Sequence, residues 1–139
     1  GYAKKHRFHT RKPIVDLGGQ FLAKDYKGFS SGPNAASLAL IDGYSDIYLI
    51  GMDLGTTNGM VNNIYANTKF YKKDLDPPTY PGNWINQIIK LTEDFSTRQF
   101  WRIEGPESAF VPRFNKIQNM RIMSMDKFLE KVNTARGPL

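Results

Sequence analysis

The chain has 139 residues, 40% of them hydrophobic and 23% charged, with a net charge of +6 and no cysteine. One domain is expected at this length, large enough to bury a core without staples. The lack of cysteine excludes disulfides, cysteine nucleophiles, iron–sulfur clusters and thiolate zinc sites. No apolar run approaches the ~18 residues of a membrane-spanning helix. No secretory leader pattern is read, so a cytoplasmic location is expected.

Lys4, Lys5, Arg7, Arg11 and Lys12 account for most of the excess charge. Residues 1–12 are therefore read as a flexible basic tail, and residues 13–139 as one α/β domain. Residues 4–12 carry no acid, and such a segment can meet a nucleic-acid backbone through counterion release. Its two histidines, His6 and His9, lack further ligands for a metal.

Ile14-Val15-Asp16-Leu17 reads as a short strand closed by Gly18-Gly19, and Gln20 to Lys24 as a second extended piece. A helix is expected from Pro33, with Ser31 or Gly32 as its N-cap and Gly43 as the residue that ends it. Its inward stripe is read as Ala35, Leu38 and Ala39, extended to Asp42. Ile47 to Asp53 is a continuous apolar run ending in a carboxylate, the pattern of a strand buried on both faces. Residues 54–82 form a long polar connection, and connections of that length in compact domains are often functional. Trp84 to Phe95 follows as an amphipathic helix with Trp84, Ile88, Leu91 and Phe95 on one stripe. Gln99 to Glu104 and Met120 to Met125 read as further strands, and Asp126 as the cap of a last helix through Val132. The alternation predicts an α/β fold with a small, mainly parallel sheet.

Ligands of open α/β sheets bind beyond the carboxyl ends of the strands. The candidates there are Gly51, Asp53 and Asn58 after one strand and Glu104 after another, with Ser30, Ser31, Gly32 and Asn34 at a helix start that suits an anion. Ser30 to Gly32 also serves a plain N-cap, and Asn58, Asn62, Asn63 and Asn67 also suit turns. Lys69, Tyr71, Lys72 and Lys73 form a basic aromatic cluster in the same connection. No histidine lies beyond His9, so a general base would have to be Asp53, Glu104 or Asp126. Asp53 is the foremost catalytic candidate. No metal site is read, because Asp53 has no second carboxylate two residues away. Trp84 and Trp101 are expected to fill the core.

The stretch from Ser31-Gly32-Pro33-Asn34-Ala35-Ala36 through Gly43-Tyr44 to Ile47-Tyr48-Leu49-Ile50-Gly51-Met52-Asp53 resembles a pattern of bacterial sialyltransferase-like proteins. Motility-associated glycosyltransferase-like proteins and related phage proteins share that pattern, and the match lies mainly within residues 28–63. The resemblance implies a Rossmann-like, three-layer α/β domain that binds a nucleotide-sugar of the CMP-sugar type. Ser31, Gly32, Gly51 and Asp53 would then lie on the nucleotide side. The family's Asn before Ser-Gly is Ser30 here, and the family's downstream histidine base has no counterpart. The expected function is thus a glycosyltransferase-like domain needing no further cofactor, which can complete its cleft as a homodimer. The alternative is a non-catalytic binding or assembly module whose basic tail contacts nucleic acid or a partner protein.

Overall fold

A computed structural model describes residues 26, 28–55, 67–69 and 81–137. Helix α1 spans Ser31–Ile41, and strand β1 Asp46–Leu49. Helix α2 spans Gly82–Asp94, followed by β2 at Gln99–Glu104. A 3-10 turn at Pro112–Lys116 precedes β3 at Met120–Ser124 and helix α3 at Met125–Arg136. The three strands pair in the order β1-β2-β3, and both pairings are parallel. Asp46 is level with Gln99, and Phe100 with Met120. The expected α/β class with a parallel sheet is what the chain adopts.

Alternation along the strands sends Ile47, Leu49, Phe100 and Met120 to one face of the sheet, where they join Leu40 of α1 with Ile88 and Leu91 of α2 in the core. The opposite face carries Tyr48 and Trp101, whose rings stack 5.9 Å apart. Helix α3 covers that face sparsely. Phe128 packs against Tyr48, and the Lys131 ammonium sits 4.4 Å from the Trp101 ring centroid. None of the α3 residues is fully buried. The sheet therefore has helices on both faces, with the main core on the α1–α2 side.

Several local expectations are corrected. Helix α1 begins at Ser31, so Ser30 takes the N-cap position and Pro33 falls in the first turn. Its buried face is Pro33, Ala36, Ser37 and Leu40; of the expected stripe Ala39 packs against the core, while Ala35 and Asp42 are exposed. A helix of small residues has little amphipathic contrast, so its inward side is hard to read. Ser37 can turn inward because its hydroxyl donates to Asn34 O at 2.7 Å. The C-terminal reading of α1 holds, as Gly43 takes φ +97°. Gly43 N–H donates to Leu40 O and Tyr44 N–H to Ala39 O, which is the Schellman pairing.

Strand β1 stops at Leu49 rather than Asp53, because Ile50 is 47% exposed and Gly51 turns to φ +73°. Ser124, not Asp126, caps α3, by accepting the Lys127 N–H at 3.2 Å, and the helix runs past Val132 to Arg136. Helix α2 carries the expected stripe and ends against Asn119. The Asn119 amide lies 3.1–3.2 Å from the Thr92, Phe95 and Arg98 carbonyls and ties the end of the helix to the turn that leads into β2. The extended pieces at Ile14–Leu17 and Gln20–Lys24, the basic tail, and Tyr71 to Lys73 lie outside the described residues. Among the described residues no helix is long and apolar enough to cross a membrane.

Candidate functional site

Helix α1 runs antiparallel to β1 and is joined to it by the short turn at 42–45. Eleven helical residues rise about 16 Å, enough to return the start of α1 to the carboxyl end of the strand. There Ser30, Ser31, Gly32 and Pro33 face Gly51, Met52, Asp53 and Leu54 across a cleft of about 190 Å³. Trp84, from the first turn of α2, forms a further wall. Trp84 is half-buried, packing against the core as expected and also lining this cleft, whereas Trp101 stacks on the far face of the sheet.

Ser30 does not cap α1 with its hydroxyl, and its own N–H donates to Gln87 Oε1 at 2.9 Å. The cleft is therefore lined by a helix N-terminus without a side-chain cap, which carries a partial positive charge. Gly32 lets the end of Met52 approach closely, because a Cβ there would lie 2.7 Å from Met52 Cε and push that side-chain end aside. The opposite wall is an irregular, bent segment. Gly51, Leu54 and Gly55 all have positive φ, at +73°, +56° and +151°. A leucine in the left-handed region costs about 1–2 kcal/mol, offset here by burial of its side chain to 6% exposure.

Asp53 is fastened on several sides. Its Oδ1 accepts the Ser108 hydroxyl at 3.2 Å, and its carbonyl accepts the Ala109 N–H at 2.9 Å. Ser108 Oγ also accepts the Gly105 N–H, which ties the loop after β2 to the turn after β1. Beneath this turn lies Arg102, only 1% exposed. Its Nη2 donates to Asp53 O at 3.0 Å and to Met52 O at 3.4 Å, and its Nη1 pairs with Glu104 Oε1 at 3.0 Å. Burial pushes the Arg102 guanidinium below its ordinary value, while Glu104 and then Asp53 pull it back up.

Five of the eight expected binding residues meet at this cleft: Ser30, Ser31, Gly32, Gly51 and Asp53. Asn34 is not among the lining residues. Its amide donates to Phe29 O at 2.6 Å, and its buried Oδ1 has no partner among the described residues. Glu104 also does not line the cleft; it is the counter-charge of Arg102. Asn58 lies outside the described residues, and Lys69 is exposed. Asp126 lies in the first turn of α3 and does not line the cleft. Sequence reasoning missed Arg102 and Ser108. An arginine flanked by Phe100, Trp101 and Ile103 in a short strand was the available signal for the first. No group of three or more His, Cys, Asp or Glu that could hold a metal occurs among the described residues.

Comparison of the chain with protein-family models, with curated proteins and with solved structures finds no match.

Proposed function

We propose that the cleft between the start of α1 and the Gly51–Leu54 turn binds the phosphate and adjoining sugar of a nucleotide or nucleotide-sugar. The observation that carries this reading is convergence. A helix N-terminus without a side-chain cap, a close approach of Met52 to Gly32 and a carboxylate meet beyond the carboxyl end of one parallel strand. The α1 N-terminus suits the anionic group. Asp53, fixed through Ser108, suits a sugar hydroxyl as hydrogen-bond acceptor. Trp84 offers an apolar wall to a sugar or base face.

Size restricts the ligand. Sites for whole drug-sized molecules run about 300–1,000 Å³. A cleft of about 190 Å³ takes a phosphate with its sugar and leaves the rest of a nucleotide outside it. The resemblance to sialyltransferase-like proteins favours a CMP-sugar donor, and a glycosyltransferase-like reaction would place the acceptor hydroxyl against Asp53.

Calorimetric titration with CMP, UMP, AMP, GMP, ribose 5-phosphate and inorganic phosphate tests the reading. Ribose 5-phosphate and one nucleotide should bind, and the nucleotide more tightly. Asp53→Asn retains an acceptor for Ser108 but removes the charge, and it should weaken both ligands about tenfold, the worth of roughly 1.4 kcal/mol. Binding of none of the six, or equal binding by Asp53→Asn, would overturn the proposal.

A further inference from the structure

Arg102 occupies a position that core packing alone does not explain. A buried ion pair is often replaceable by apolar side chains without loss of stability, so its presence points to another demand. The guanidinium divides its donors between Glu104 on its own strand and the main-chain carbonyls of Met52 and Asp53. Phe114 closes it from the other side, with the guanidinium carbon 5.5 Å from the ring centroid. Its Nε–H meets no acceptor among the described residues, so the side chain accepts an unpaired polar atom in order to reach those carbonyls. The segment it grips, Met52–Asp53, lies between the left-handed Gly51 and Leu54 and forms one wall of the cleft.

We propose that Arg102 is a positioning residue, holding the Met52–Asp53 wall in the geometry the cleft needs for its ligand through hydrogen bonds to the two main-chain carbonyls. The inference rests on the reading of this cleft as a binding site. The Ala109 N–H, which donates to Asp53 O from the loop opposite, reports whether the wall is held. Glu104 holds the guanidinium in line from its own strand, so the grip extends from β2 to the end of β1.

The test is amide hydrogen exchange by NMR on the unliganded full chain and its Arg102→Met variant, followed by CMP titration of both. Arg102→Met should speed exchange at Ala109 about tenfold or more, the equivalent of one charge-assisted hydrogen bond. The amides of Leu91 and Phe100, deep in the core, should keep their rates, and CMP binding should weaken by a similar factor. Arg102→Lys retains the charge but not the fork, so Ala109 should exchange faster there as well; it serves alone if Arg102→Met does not fold. An unchanged Ala109 rate, or a rise shared equally by Leu91 and Phe100, would overturn the proposal. The exchange result stands whether or not CMP binds, so failure of the functional reading and failure of the positioning role are told apart.

Discussion

Replacing Asn119 by alanine tests how the second helix is held over the sheet. The Asn119 amide group lies 3.1 Å from Thr92 O, 3.2 Å from Phe95 O and 3.1 Å from Arg98 O. Two N–H groups serve these three acceptors. Each hydrogen bond contributes about 0.5–1.5 kcal/mol net, so the pair is worth about 2 kcal/mol. The half-buried site lets water rehydrate part of what is exposed, which keeps the loss from growing further. With an unfolding entropy near 2.1 cal/mol/K per residue, about 2 kcal/mol over a chain of this length lowers Tm by about 7 °C. Urea unfolding of Asn119→Ala should show a lower midpoint with the m-value unchanged. Asn119→Asp should be worse, because it puts a carboxylate against carbonyl oxygens at the negative end of α2. A loss below about 0.5 kcal/mol in Asn119→Ala would refute the capping role.

Gly32→Ala should leave Tm within about 4 °C, since the end of Met52 can swing aside and alanine favours the helix, yet it should weaken CMP at least about tenfold by filling the cleft. Equal affinity in a titration would count against the site. Gly51→Ala, at φ +73°, should cost about 1 kcal/mol in a chemical melt, and no cost would mean the turn is not left-handed. Asp94 accepts from Lys90 at 2.6 Å and from Tyr26 at 3.0 Å, and the Lys90 contact above all holds its carboxyl below the usual range. A depressed folded value means stability present above the unfolded pKa and lost as pH falls through the folded one. The stability advantage of the native chain over Asp94→Asn should therefore shrink below about pH 4, and an advantage constant down to pH 2 would contradict the pairing.

The sequence was legible where one physical signal dominated. Gln99–Glu104 reads as a strand and is one, and the stripe of Trp84, Ile88 and Leu91 faces the core or the cleft as its spacing requires. Gly43 ends α1 because only a left-handed residue closes the Schellman turn there. Legibility failed where local and tertiary demands compete. Ile50 to Asp53 has strand composition, yet its glycine and the pull of Arg102 on the Met52 and Asp53 carbonyls make it a turn. Five of the binding candidates could be placed together because they flank one strand end. The grouping of Glu104 with them failed because its partner, Arg102, lies two residues back on the same strand and neutralises it within the sheet. Ser108 could not be foreseen, since its role arises only when the loop after β2 folds against the loop after β1.

The most direct measurement is a residue-resolved NMR titration of the full chain with CMP. The amides of Ser31, Gly32, Gly51 and Met52 and the Trp84 indole signal should shift together with one dissociation constant, while Lys127 and Lys131 on α3 stay in place. No shift up to about 1 mM, or shifts centred away from the start of α1, would contradict the proposed site.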